Sequence, residues 1–177
     1  MPPHESTPDL SGPFHDIAAP TITREAFAPF GELIEPGEDG APFGAADARL
    51  ELGAGTPRFY IMRLPRRGLV FHQITRHRRV TQCLASVGGG TWLLAVAPPL
   101  DIDAPRAEPA QDQIRGFRIP GDVAVKLHRG TWHAGPFFEA EEMSFFNLEL
   151  TDTNETDHQS SALIRRFGLP FRFQPDR

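Results

Sequence analysis

The stretch from Phe117 to Phe137, FRIPGDVAVKLHRGTWHAGPF, restricts what this chain can fold into more than any other segment. Val123, Val125 and Leu127 alternate with small or polar residues between two breakers, Pro120-Gly121 and Arg129-Gly130. Alternation of period two between breakers is the pattern of a half-buried β-strand that ends in a tight turn. In an antiparallel barrel such a turn delivers a side chain from the strand end into the interior. His128 and His133 bracket the second turn, and His133, just after it, is the first candidate for a polar site.

The same punctuation runs through the chain. Gly and Pro make up 34 of 177 residues, scattered without period, which predicts many turns and short strands. Strands are expected over Phe59–Leu64, Leu69–His77, Gln82–Val87, Thr91–Ala97 and Met143–Leu150. The near-continuous apolar run TWLLAVA reads as a strand covered on both faces. Near the start, Thr23 predicts an N-cap for a short helix that Pro29 and Gly31 end, followed by a strand from Glu32 to Glu35. Residues 36–57 and 98–113 are expected to be loops, and Leu163–Phe173 a basic-aromatic tail. Residues 1–18, rich in Pro and Gly, are expected to form a flexible tail, leaving a single domain over 19–177. The pattern as a whole predicts an all-β jelly roll or barrel with one short N-terminal helix.

Charge narrows the function classes. The formal net charge of -5 argues against a nucleic-acid binder. Seven arginines (58, 63, 66, 67, 76, 78 and 79) nevertheless fall between Leu52 and Leu100 without one acid. They could attract small anions, or pair with acids elsewhere in the fold or across a subunit interface. The opening residues lack the pattern of a signal peptide and no apolar run approaches membrane-spanning length, so a cytoplasmic protein is expected. The single cysteine, Cys83, permits no intrachain disulfide and reads as a small buried residue.

Two histidine pairs, His72/His77 and His128/His133, lie about fifty residues apart on strands that a jelly roll could bring together. Imidazole suits metal ligation or proton transfer. A spacing of five puts the members of a pair on opposite strand faces, and His77 and His133 are the members expected to point inward. Glu149 stands in a strand that otherwise reads Phe-Phe-Asn-Leu; it is either inward and functional or an exposed edge acid. Arg63, on the face of Phe59 and Ile61, would suit a substrate carboxylate if inward, or a strand-end salt bridge if not. Lys126 is a weaker candidate of the same kind. Asp152–His158 offers oxygen ligands but lacks the glycine of a calcium loop, and reads as a turn.

Four blocks in order, ITREAFAPFGELIE, LVFHQITRHRRVTQ, IRGFRIPGDVAVKLHRGTWH and MSFFNLELTD, resemble the ureidoglycolate lyase family. The resemblance implies a cupin fold, a homodimer, and cleavage of ureidoglycolate to glyoxylate and urea during allantoin breakdown. It also implies a divalent metal (nickel, manganese or zinc). It places His77, Gln82 and His133 on usual cupin ligand positions, and Arg63 and Glu149 on a family arginine and a family acid. Under it, His133 with Glu149 or His77 would supply base and acid, Arg63 would hold the carboxylate, and Gln82 would orient the ureido group. Thr75 departs from the family's usual Glu, Leu127 from Tyr, Leu150 from Arg and Arg78 from Pro. The other readings are a cupin module that binds a small carboxylate without turnover, and a cupin enzyme acting on another small organic acid.

Overall fold

The computed structural model describes residues 12–174. In chain order the elements are β1 (His15–Ile17), α1 (Arg24–Phe27), β2 (Gly31–Ile34), β3 (Pro57–Pro65), β4 (Val70–Phe71), β5 (Gln73–Arg76), β6 (Gln82–Ser86) and β7 (Trp92–Ala97). There follow β8 (Arg115–Ile119), β9 (Ala124–Leu127), β10 (Trp132–Phe137), β11 (Glu142–Leu150), α2 (Thr153–Thr156), β12 (Gln159–Ala162), α3 (Leu163–Phe167) and β13 (Phe171–Phe173). Two five-stranded antiparallel sheets, ordered β12-β5-β10-β7-β8 and β2-β9-β6-β11-β3, make the body of a cupin-type jelly roll. A small third sheet, β1-β13-β4, packs beside them.

Strand parity decides where the core lies. Every residue of β7 is buried, as a strand covered on both faces requires. Trp92, Leu94 and Val96 enter a core with Phe27, Phe117, Val125, Leu127 and Phe145. Leu93, Ala95 and Ala97 enter a second core with Phe71, Ile74, Trp132, Phe137, Phe171 and Phe173. Helix α1 starts as its sequence predicts, with the Thr23 hydroxyl accepting from the Ala26 amide at 3.2 Å.

Three expectations change. The flexible tail assigned to residues 1–18 is too long, because His15–Ile17 pairs in parallel with Phe171–Phe173; residues 1–11 lie outside the described residues. Leu163–Phe173 is not a tail but α3 and β13, with Phe171 and Phe173 buried in the second core. The strand expected over Leu69–His77 is broken at His72 into β4 and β5, because Val70–Phe71 pairs with β13 while Gln73–Arg76 pairs with β12. Among the described residues no helix is long and apolar enough to cross a membrane.

Candidate active site

The inward faces of three neighbouring strands change from apolar to polar along their length. On β11 the inward row is Phe145, Asn147, Glu149; on β6 it is Leu84, Gln82; on β3 it is Leu64, Met62, Tyr60. Phe145, Leu84 and Leu64 belong to the core. The polar ends line a cavity of about 520 Å³ whose other wall carries His77, His133 and Thr75.

The histidine wall is assembled by turns. Gly130, at φ 82°, turns the chain between β9 and β10 and donates its amide to the His77 carbonyl at 2.6 Å. That contact docks the turn before His133 onto the segment carrying His77, and the two rings lie 5.2 Å apart between centroids. A carbonyl can only accept, so His77 Nδ1 donates to Asp157 O at 2.6 Å and His133 Nδ1 donates, at a longer 3.4 Å, to Thr131 O. Each Nε2 is thereby left with its lone pair. The Asp157 carboxylate in turn accepts the amides of Arg78 and Arg79, both at 2.7 Å, clamping the segment after β11 onto the turn after His77. His158 stands 5.7 Å from the His77 ring.

Burial holds both imidazoles below the usual histidine range. His133 is pushed down to about 3, first by loss of solvation and then by the neighbouring His77 ring. His77 is lowered by burial too, against the opposing pull of its bond to Asp157. Both rings are therefore neutral at pH 7.

The facing wall is built on Glu149, which is 1% exposed. Its Oε1 accepts from Tyr60 Oη at 3.2 Å and Asn154 Nδ2 at 3.3 Å. Its Oε2 accepts from Gln82 Nε2 at 3.1 Å and Asn147 Nδ2 at 3.4 Å. Gln82 Nε2 also donates to Asn147 Oδ1 at 3.1 Å. Two acceptors on one end of the Gln82 amide fix which end is nitrogen. The other end, Oε1, is buried and has no hydrogen-bond partner among the described residues. Tyr60 stays protonated, since burial and then the Glu149 charge raise its pKa.

His77, His133, Gln82 and Glu149 are thus gathered in one cavity. Arg63 and Lys126, the expected substrate-binding cations, are not. Arg63 does share a face with Phe59 and Ile61, but that face is the outer one: the Arg63 side chain is 73% exposed and pairs with Glu142 at 3.4 Å. Lys126 sits opposite Cys83, again on the outer face, where its Nζ meets Glu32 at 3.2 Å and His128 Nδ1 at 3.0 Å. The apolar face of β3 is its outer one, and Arg63 takes the alternative of a strand-end salt bridge. His72, expected on the face opposite His77, also lines the cavity, together with Tyr60, Asn147, Asn154, His158 and Arg67, to which the sequence pattern gave no site role. Asn147 was within reach, being two residues before Glu149 on one strand. Asn154 comes from α2 and His158 from the segment just after it, where no periodicity points.

The implied metal does not fit these residues. Among the described residues no three or more His, Cys, Asp or Glu side chains are grouped so as to hold an ion. Position 75 faces the cavity directly across the ladder from His133, but Thr75 is bonded to the Ser160 hydroxyl at 3.0 Å and supplies no carboxylate. Two imidazoles and an amide oxygen are a weak set for nickel, manganese or zinc, and no step below runs through a metal.

Two facing antiparallel sheets around a cavity lined by histidines, an amide and a carboxylate define a jelly-roll protein with a polar small-molecule cavity. The family model for ureidoglycolate lyase matches residues 14–166, and the chain belongs to that family. A protein of Azotobacter vinelandii (strain DJ / ATCC BAA-1303) named ureidoglycolate lyase is 32% identical over 124 residues, spanning 63% of this chain and 71% of its own. One of the same name from Burkholderia mallei (strain NCTC 10229) is 29% identical over 137 residues, spanning 71% of this chain and 76% of its own. A solved dTDP-sugar isomerase from Desulfovibrio desulfuricans G20 gives a TM-score of 0.41 at 13% identity, over 75% of this chain and 81% of that one.

The two depressed histidines make stability depend on pH. Between the unfolded histidine value of about 6.5 and the lower folded values, the unfolded chain binds more protons, so stability falls with falling pH. The loss is up to about 1.4 kcal/mol per pH unit for each such group. The thermal midpoint is therefore expected to drop from pH 6.5 towards pH 4, and to drop less in His133→Gln. An equal fall in both proteins would contradict the burial argument.

Proposed function

We propose that this cavity cleaves ureidoglycolate to glyoxylate and urea. The observation that carries the proposal is the pair of neutral imidazoles, each with Nδ1 committed to a backbone carbonyl and Nε2 left to accept a proton. Ureidoglycolate carries a hydroxyl and a ureido nitrogen on one carbon. Nε2 of one histidine takes the hydroxyl proton, the oxygen pair becomes the new C=O, and the C–N pair leaves with the urea nitrogen. That nitrogen is protonated from the histidine pair, so one proton moves and none is lost.

The facing wall suits the leaving group. Gln82 Oε1 lacks a donor, and a ureido N–H supplies one. Glu149, with four donors on its two oxygens, orients Gln82 and leaves the base role to the histidines. In a coupled urea and glyoxylate assay, His133→Ala is expected to lose at least about a hundredfold in kcat with its far-UV spectrum unchanged. Prior dialysis against a chelator is expected to leave the native protein's rate within about twofold. Unchanged turnover in the variant would refute the role of the histidine; collapse after chelation would refute the metal-free route.

We also propose that the chain works as a homodimer. Phe59 and Ile61 on β3 and Phe146 on β11 are exposed on one outer face, with Phe59 and Phe146 stacked at 5.6 Å. Strand β3 is nine residues long and ends its sheet, so its far edge has no partner strand among the described residues. A second copy laid on this face would cover both the apolar rings and the edge. Sedimentation is expected to give the mass of two chains for the native protein and of one for Ile61→Glu. A native protein that sediments as a monomer would overturn the proposal.

A further inference from the structure

We infer that Arg67 is the group that binds the substrate's carboxylate, an inference that rests on the reaction proposed above. Of the described residues lining the cavity it is the one lysine or arginine, and Glu149 is the one carboxylate. An α-hydroxy acid entering this space meets the neutral histidines and amides and a buried negative charge. Its own negative charge therefore needs a cation, and position 67 supplies it.

The turn between β3 and β4 explains why this arginine and not its neighbours. Arg63 is drawn to Glu142 on the outer face. Arg66 is held to the turn between β10 and β11, its amide donating to Glu141 O at 2.8 Å and its guanidinium to Glu139 O at 3.2 Å. Among the other arginines of the acid-free stretch, Arg58 lies over the Tyr60 ring, Arg76 reaches Gln159 and Ala104 O, Arg78 reaches Ile102 O, and Arg79 reaches Ala54 O and Asp152. Arg67 alone of the seven borders the cavity and has no hydrogen-bond or ion-pair partner among the described residues. Arg67 is an exposed residue that lines the cavity, and its guanidinium is not committed to another group among the described residues, which leaves it to take a bidentate anion.

The site would thus read its ligand at two points: a carboxylate on Arg67 and a ureido N–H on Gln82 Oε1. The test compares Arg67→Gln with Arg63→Gln in the urea and glyoxylate assay, and measures glyoxylate binding to each by calorimetry. Loss of a charge-assisted pair is expected to raise KM about tenfold or more in Arg67→Gln, with kcat changed much less and partial recovery in Arg67→Lys. Glyoxylate affinity is expected to fall by a similar factor, while Arg63→Gln matches the native protein in both measurements. Native-like KM and glyoxylate affinity in Arg67→Gln, or a raised KM in Arg63→Gln, would overturn the assignment. Should the native protein release no urea, the proposed reaction falls; glyoxylate binding that still depends on Arg67 would uphold the carboxylate site, and binding that does not would overturn it.

Discussion

A carboxylate sealed inside a jelly roll with no ion pair among the described residues is the constraint on which the cavity depends. An unpaired buried charge costs several kcal/mol. Glu149 offsets that cost with four neutral donors drawn from β3, β6, β11 and α2. Hydrogen bonds to a charged group contribute roughly 1.5–3 kcal/mol each, and losing any of them leaves the charge more exposed to the penalty. The network therefore also fixes side-chain direction: Tyr60, Gln82 and Asn147 must all face the interior at the same level of the barrel. A slip of one residue in any of the three strands would turn that strand's donor outward.

That requirement explains how one barrel holds both a core and a cavity. Going along β11, the inward row passes from Phe145 through Asn147 to Glu149, so the same strand closes the apolar end and opens the polar one. The histidines are held from the opposite sheet by different means. Gly130 docks the turn before His133 onto His77, and Asp157 ties the segment after β11 to the turn after His77. The two walls, joined through the segment 153–158, leave a gap between them, with neutral imidazoles on one side and an oriented amide on the other. Burial keeps both rings uncharged at neutral pH, so their Nε2 lone pairs are not already protonated.

Much of this was legible in the residues. Strand parity put His77, His133, Asn147 and Glu149 on consistent faces, and the breakers around His128–His133 located the decisive turn. Parity says which residues share a face, however, and not which face is inside. Phe59 and Ile61 made the wrong face of β3 look like the interior, and Arg63 went with them; the inner face is the one with Tyr60, Met62 and Leu64. The same ambiguity misplaced Lys126. The contributions of Asn154, Asp157 and His158 come from α2 and the residues just after it, whose position over the cavity is set by tertiary contacts and leaves no periodic trace. Likewise, the N-terminal strand β1 and the C-terminal strand β13 are too short to show alternation and exist because they pair with each other.

In the proposed reaction Glu149 organises the amide wall while a histidine is the base. The pH dependence of kcat/KM in Glu149→Gln tests it most directly. A lower rate is expected with the acidic limb of the profile still present, because the titrating base is untouched. Loss of that limb in the variant would make Glu149 itself the base and rule out the histidine.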